Sequence, residues 1–269
     1  MKDILVIIPV HKYSDEVGEL LTRAIKSVPL SYPIKISLSK NVFTLNSKEI
    51  GNIIKSSRNE NDAPIVTISC DDDKTDFCTL VNNAVSDKHE WFTILEFDDE
   101  FSPIWFNNVE REMEYKTDVS VFLPLTELID YNKKVFVSYG NEAPWASSFS
   151  NEIGYIDNES LQQFFDFYLT GGVFNSKDWL NFGGLKPSIK LTFWYEFMLR
   201  LTHNNKKIYV IPKLGYRHFV NRENSLYDIY KKTITNEESK WWYELAKEEY
   251  FFKNDRNKTY ENINNEKGE

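Results

Sequence analysis

The chain has 269 residues and a net charge of −9, with a pI of about 5.1. This length allows one large domain or two small ones with a sizeable core, and the acidic balance disfavours a general role in binding DNA or RNA. The two cysteines, Cys70 and Cys78, supply neither a disulfide framework nor a four-cysteine metal site, and they favour a reducing, cytoplasmic setting. The sequence has no apolar run of about 18 residues, so no transmembrane helix is predicted.

The first segment predicts the opening of a doubly wound α/β fold. Residues 4–10 form an apolar run typical of a buried strand. Ser14, followed by two acidic residues, has the pattern of a helix N-cap. Apolar residues then recur at helical spacing at Val17, Leu20, Leu21, Ala24 and Val28. The order of strand, loop and helix favours an α/β fold, and the segment has no glycine-rich dinucleotide or P-loop motif.

The next segments continue the alternation of strands and helices. Residues 34–39 and 65–70 are predicted strands, and residues 49–55 a short helix. A further helix is predicted to begin at Thr75 or Asp76. Three aspartates lie between the strand at 65–70 and this helix: Asp71, Asp72 and Asp73. A solvated turn is the favoured interpretation, and a second acidic site is the alternative.

Residues 91–103 give the main functional signal. Residues 91–95 have the composition of a strand buried on both faces, and the strand ends in the carboxylates Glu96, Asp98 and Asp99. Glu96 and Asp98, two residues apart, would share a face of a continuing strand. Ser102 and Pro103 then predict the start of a helix. Ligands of open α/β sheets bind at the carboxyl ends of strands, and carboxylate oxygens suit a hard divalent cation with a phosphate ligand. These residues alone leave a cation site and a solvated acidic turn equally open.

The second half is predicted to mix strands and helices around a long loop. The predicted elements are a helix at 103–116, antiparallel strands at 119–125 and 134–139, a loop at 140–154, a helix at 159–169, a glycine turn and short strand at 171–175, a short helix capped by Ser176, a helix at 190–204, a strand at 207–211 closed by Pro212, and a helix opened by Thr235 and Glu238. The composition after about residue 253 predicts a disordered tail.

Four segments, in order across about residues 1–225, resemble the family 2 glycosyltransferases, which use nucleotide-sugar donors. They are residues 6–11 with the helix ending at 24–28; 80–85 continuing into 91–99; 171–174 with 182–185 and 195–201; and Tyr216-Arg217-His218. The resemblance implies a GT-A fold, an α/β architecture with a single Rossmann-like mixed sheet flanked by helices. It places this domain at residues 1–235, with a donor half at about 1–103 and an acceptor half at about 104–235, followed by a helix at 236–252 and the tail at 253–269.

The resemblance also implies the residues of a donor site. The donor, a nucleotide-diphosphate sugar, would contact Pro9, Val10, His11, Asn82, Asp98 and Arg217. An Mn²⁺ or Mg²⁺ ion would be held by Glu96, Asp98, Asp99 and His218. Arg222 is a further candidate for phosphate binding, beside Arg217.

Several positions depart from the family pattern. Glu96 replaces the first acid of the Asp-x-Asp motif, and serines stand after the second strand, where relatives usually have an aspartate that contacts uracil. Inverting members carry a Glu-Asp pair at the start of the helix near residue 195, and its Asp is the catalytic base. The aligned positions here are Phe193 and Trp194, so the nearest carboxylate, Glu196, is the candidate catalytic base, although helix residues two apart do not share a face. A retaining enzyme, which needs no such base, and a donor site without turnover are the alternatives.

Three functions are compatible with these features. The first is a metal-dependent glycosyltransferase that moves a sugar from a nucleotide-sugar donor to a hydroxyl acceptor such as a glycan. The second is a non-catalytic module on the same fold that binds nucleotide sugars or glycans. The third is a glycosyltransferase acting on modified bases in DNA, which would use a local basic patch at Lys186, Lys190, Arg200, Lys206 and Lys207. The tryptophans Trp145, Trp179 and Trp194 would stack on a ring or, the favoured interpretation, pack in the core.

Overall fold

One mixed β-sheet with helices on both faces organises the chain, as a computed structural model of residues 2–70 and 76–250 shows. Within these residues the sheet has ten strands, so the α/β fold with a single mixed central sheet is confirmed. The predicted aspartate turn at 71–73 and the predicted tail at 253–269 lie outside the described residues. None of the helices in the described ranges is both long and apolar enough to cross a membrane.

The strands are β1 Ile4–Val10, β2 Ile34–Ser39, β3 Ile65–Cys70, β4 Trp91–Ile94, β5 Glu100–Phe101, β6 Val119–Asp130, β7 Val135–Gly140, β8 Tyr155–Ile156, β9 Val173–Asn175 and β10 Lys207–Val220. The helices are α1 Asp15–Ser27, α2 Lys40–Ser57, α3 Phe77–Ala84, α4 Trp105–Tyr115, α5 Asn158–Gln163, α6 Ser176–Asn181, α7 Phe193–His203, α8 Leu226–Thr233 and α9 Asn236–Glu249.

The strand order brings the loop after β1 and the turn after β4 to the same end of the sheet. The main path is β3-β2-β1-β4-β9-β6-β10-β5, with β7 paired to β6 and β8 paired to β10. Strand β1 runs parallel to both β2 and β4, and Ile7 lies opposite Ile94. The carboxyl ends of β1 and β4 therefore lie side by side, which places the loop at His11 next to the acidic turn at Glu96.

The apolar run of β1 is explained by a core on each face of the sheet. Ile4, Val6 and Ile8 pack into one core with α1, α2 and α4. Leu5 and Ile7 point the other way, into a second core with α3, α6 and α7. Because successive strand residues face opposite sides, a strand covered on both faces shows no polar alternation.

Two amino-terminal helices differ from their predicted bounds. Helix α2 begins at Lys40, directly after its N-cap Ser39, and is longer than the predicted 49–55. Helix α4 begins at Trp105 without a side-chain cap, so the predicted helix start at Ser102 and Pro103 is wrong. Ser102 instead donates its main-chain N–H to Gly215 O (2.9 Å), which extends the pairing of β5 with β10 and delays the helix.

The predicted helix at 159–169 is wrong beyond residue 163. Asn141 forms hydrogen bonds with both the main-chain N–H and the C=O of Tyr168 (2.9 and 2.8 Å), which holds this segment in a non-helical conformation. Helix α6 is capped by Asn175 and not by Ser176, and α7 begins at Phe193 after a 3₁₀ turn over Pro187–Thr192. Helix α8 was not predicted.

Strand β10 continues past Pro212 to Val220, whereas the sequence predicted an end at residue 211. Its register against β6 shifts between Val210 and Leu214, which accommodates a proline that has no N–H for the ladder. This continuation carries His218 to the edge of the sheet at which β4 ends.

Candidate functional site

A cavity of about 710 Å³ lies at the carboxyl ends of β1 and β4. Its walls come from the β1 loop, the turn after β4, residues 165–170, the start of α7, the end of β10 and helix α8. The volume lies within the range of about 300–1,000 Å³ typical of small-molecule sites. The sheet edge thus opens into a space large enough for a small-molecule ligand.

An acidic cluster, defined as Glu96, Asp99 and His218, lies at this edge. Ligand atoms of the three side chains lie within 4.8 Å of one another. Asp99 Oδ2 is 2.7 Å from His218 Nδ1, and the main-chain N–H of Phe219 donates to Asp99 Oδ1 at 2.9 Å. The main-chain N–H of Glu96 donates to the hydroxyl of Tyr216 at 3.0 Å. Strand β10 therefore holds the acidic cluster against the turn that follows β4.

The strand prediction paired Glu96 with Asp98, whereas the structure groups Glu96 with Asp99. Strand β4 ends at Ile94, and the N–H of Asp99 donates to the C=O of Glu96 at 3.0 Å, which closes a turn. The alternation of a continuing strand is lost in this turn. Asp98 also lines the cavity, but its Oδ2 accepts a hydrogen bond from Arg222 Nε at 2.6 Å.

The local charge balance favours a bound cation. Burial, then the charge of Asp99, raises the pKa of Glu96 to about 8, and the same two causes raise the pKa of Asp98. Burial lowers the pKa of His218, but the charge of Asp99, followed by that of Glu96, outweighs it and raises this pKa to about 10. When Glu96, Asp98 and Asp99 are all ionised, they exceed the protonated His218 and Arg222 by one negative charge, which a bound cation would offset. Oxygen ligands with one imidazole fit Mn²⁺ and, less well, Mg²⁺.

The β1 loop contributes a neutral imidazole to the cavity. His11 lines the cavity, and its Nε2 is buried without a hydrogen-bond partner among the described residues. Burial, then the charges of Lys12 and Arg222, lowers the pKa of His11 to about 3. Pro9 also lines the cavity, whereas Val10 is fully buried in the core beneath it.

The structure places two predicted donor contacts outside the cavity. Asn82 donates to Leu185 O at 2.7 Å and accepts from Leu185 N–H at 3.0 Å, so its amide joins α3 to the turn before α7. Arg217 pairs with Glu127 at 2.8 Å and with Glu100 at 3.4 Å. Because strand residues alternate, Arg217 points away from the side on which His218 lies.

Glu196 is buried and does not line the cavity, so the structure corrects the expectation that it faces a substrate. Its side chain is 1% exposed. Oε1 accepts hydrogen bonds from Lys186 Nζ (2.8 Å) and Tyr250 Oη (2.9 Å), and Oε2 accepts one from Arg200 Nη2 (2.9 Å). These contacts join α7 to the end of α9, so the role of Glu196 is to stabilise the fold.

The predicted basic patch is largely neutralised by acidic partners. Lys206 pairs with Asp178 at 2.7 Å and Lys207 with Asp118 at 2.6 Å, in addition to the contacts that Lys186 and Arg200 make with Glu196. The hypothesis of a DNA-directed enzyme therefore loses the observation that motivated it. Among the tryptophans, Trp179 is buried in the core and Trp145 lies outside the cavity, while Trp194 lines it.

Sequence reasoning missed the residues on the outer walls of the cavity. Residues 165–169 were assigned to a helix, and residues 226–233 to no element, yet both segments contribute residues to the cavity wall. The run Phe164-Phe165-Asp166-Phe167-Tyr168 was an available signal. Four aromatic residues in five positions do not leave one face of a helix polar.

No protein-family model matches the sequence, and no curated protein matches it. Solved structures do match. S. aureus TarS 1–349 in complex with UDP-GlcNAc has a TM-score of 0.59 and 13% identity, over 91% of this chain and 65% of that chain. The same TarS fragment without a named ligand gives 0.58 and 14%, over 81% and 60%, and its complex with UDP gives 0.52 and 15%, over 86% and 63%. This chain thus spans 60–65% of the TarS fragments, and the likeness shows a GT-A fold.

Proposed function

We propose that this GT-A-fold chain is a metal-dependent glycosyltransferase that moves a sugar from a nucleotide-sugar donor to a hydroxyl-bearing acceptor. One observation carries the proposal: Glu96 and His218 of the acidic cluster line the same cavity as His11 and Arg222, at the carboxyl ends of strands in a mixed α/β sheet. The complexes of TarS with UDP-GlcNAc and UDP support a nucleotide-sugar donor.

The donor nucleotide is proposed to lie across the ends of β1 and β4. The diphosphate is assigned to the acidic cluster and to Arg222, which Asp98 orients through the 2.6 Å ion pair. An Mn²⁺ or Mg²⁺ ion held by Glu96, Asp99 and His218 would offset the charge of the leaving diphosphate. The nucleoside is assigned to Pro9 and His11, because both residues line the cavity at the carboxyl end of β1.

We propose that residues outside β2 recognise the base of the donor nucleotide, because the serines of β2 bind other parts of the chain. Ser37 Oγ donates to Leu80 O at 2.7 Å and Ser39 Oγ donates to His11 O at 3.0 Å, so both hydroxyls make hydrogen bonds within the fold.

Both cysteines are buried free thiols, which suits the cytoplasmic location that we propose. The division into a donor half at about 1–103 and an acceptor half at about 104–235 is part of the same proposal.

Thermal unfolding with and without nucleotide and metal tests the proposal. UDP, GDP and dTDP are each added at saturating concentration with Mn²⁺, with Mg²⁺ or with a chelator. Saturation at about 100 times the Kd is expected to stabilise the protein by about 2.7 kcal/mol, which corresponds to about 5–10 °C in Tm for a chain of this size. The shift is expected only when one nucleotide and a metal are both present.

Two variants sharpen this test. Glu96→Gln removes one member of the acidic cluster and is expected to abolish the metal-dependent shift. Glu159→Gln changes an exposed carboxylate outside the cavity and is expected to leave the shift intact. No shift with any nucleotide would contradict the proposal, and a shift without turnover of any donor would favour the non-catalytic binding module.

A further inference from the structure

The cavity presents five carboxylates from the described part of the chain: Glu96, Asp98, Asp166, Glu223 and Asp228. Two of them have hydrogen-bonded partners, and a third belongs to the proposed metal site. Glu96 belongs to the acidic cluster, Asp98 pairs with Arg222, and Asp228 accepts from Asn224 N–H at 2.8 Å and from Lys232 Nζ at 2.7 Å. Asp166 and Glu223 make no hydrogen bond or ion pair with any residue in the described ranges.

Asp166 is held firmly by the main chain around it. The N–H of Phe167 donates to the C=O of Phe165 at 3.0 Å, which makes a tight turn centred on Asp166. Two residues later, the buried side chain of Asn141 binds both the N–H and the C=O of Tyr168. Phe167 itself is buried. The main chain at Asp166 is thereby held in place, while its exposed carboxylate remains open to a ligand in the cavity.

The same segment reaches the acidic cluster. The ring of Tyr168 lies 5.8 Å from the ring of His218. Burial, then the charge of Asp166, raises the pKa of Tyr168. The segment that carries Asp166 therefore contacts the acidic cluster through Tyr168, and Asp166 lines the same cavity.

Aromatic rings beside Asp166 form a surface suited to a sugar acceptor. Phe165 is 56% exposed and lies 4.9 Å from the ring of Tyr243 and 6.1 Å from that of Tyr195. Aromatic faces of this kind pack against the apolar faces of sugar rings. Glu223, in contrast, directly follows Arg222, at the end of the cavity that we assign to phosphate.

We propose, resting on the glycosyltransferase function above, that Asp166 is the general base of an inverting sugar transfer. The carboxylate of Asp166 takes the proton from the acceptor hydroxyl while that oxygen forms a bond to the anomeric carbon of the donor sugar. The bond from this carbon to the diphosphate oxygen breaks, and its electron pair leaves on the nucleoside diphosphate. The proton then passes from Asp166 to solvent.

Donor hydrolysis, in which water takes the place of the acceptor, tests this assignment. UDP-GlcNAc, UDP-glucose and GDP-mannose are incubated with wild type, Asp166→Asn, Asp166→Glu and the control Glu159→Gln. Asp166→Asn is expected to lower kcat by about 10²- to 10⁴-fold, the usual contribution of a general base, and to remove the acidic limb of the pH profile. KM for the donor and the Tm shift with nucleoside diphosphate and Mn²⁺ are expected to stay as in wild type.

Asp166→Glu is expected to recover part of kcat, and the control is expected to match wild type. The anomer released first, observed by proton NMR, is expected to be inverted relative to the donor. A kcat of Asp166→Asn within about threefold of wild type, a retained anomer, or no hydrolysis of a donor whose nucleotide stabilises the protein would each overturn the role of Asp166. Absence of any nucleotide shift in wild type would instead overturn the function on which it rests.

Discussion

Replacing Glu96 with glutamine is expected to stabilise the metal-free protein at neutral pH. The Glu96 side chain accepts no hydrogen bond from a described residue, so the substitution breaks no contact of that kind and leaves a neutral group that does not ionise. Its pKa is raised from 4.5 to about 8, chiefly by burial and by the charge of Asp99. Between these values the folded protein holds a proton that the unfolded chain has lost, and the contribution to stability falls as the pH rises.

The size of the effect follows from the pKa change. One pKa unit corresponds to about 1.4 kcal/mol, so the span from 4.5 to pH 7 sets an upper limit of about 3.5 kcal/mol. Glu96 is part-exposed, and its charge also supports the protonated form of His218. Solvent screening and the loss of that support reduce the expected gain to about 1–2 kcal/mol at pH 7, and the gain should fall below about 0.5 kcal/mol at pH 5.

Urea unfolding in the presence of a chelator measures this difference. Wild type, Glu96→Gln and the exposed control Glu159→Gln are compared at pH 5 and pH 7. The control should follow wild type at both pH values. A Glu96→Gln variant that is less stable than wild type at pH 7, or a difference that does not change with pH, would refute the reasoning about the acidic cluster.

Three further outcomes are expected. Apparent affinity for Mn²⁺ should rise between pH 6 and pH 8 in calorimetric titrations, because Glu96 and His218 must release protons to bind a metal. An affinity that does not change with pH would contradict this metal site. Tyr250→Phe should cost about 1 kcal/mol in urea unfolding, because Glu196 loses a hydrogen-bond donor, while the nucleotide shift stays; a lost shift would contradict a structural role for that pair. Asn141→Ala should lower stability by about 2 kcal/mol and reduce donor hydrolysis more than nucleotide binding, since it frees the segment that carries the proposed base; equal losses would point to general unfolding.

The sheet could be predicted from the sequence because its central strands are apolar on both faces. The run at 4–10 and the strand beginning at Trp91 needed no information beyond composition and length. The resemblance of four ordered segments also predicted the GT-A fold. Element ends were harder to predict, because they depend on distant contacts: Ser102 pairs with Gly215, and Asn141 holds Tyr168 out of a helix.

The candidate site could be predicted in part. Glu96, Asp99 and His218 were all identified, but the sequence did not show that a turn after Ile94 would group Glu96 with Asp99 and leave Asp98 to Arg222. The resemblance offered Glu196 as a base only because it was the nearest carboxylate in the sequence. Proximity along a helix carries no information on whether Lys186, Arg200 and Tyr250 already bind it.

The central claim is that the acidic cluster holds a metal ion beside a nucleotide. Anomalous diffraction from a crystal soaked with MnCl₂ and UDP, with data collected on both sides of the manganese edge, tests it most directly. The account predicts one manganese peak in contact with Glu96, Asp99 and His218, next to diphosphate density that Arg222 contacts. Clear nucleotide density with no manganese peak at these residues, or a peak only elsewhere on the protein, would contradict it.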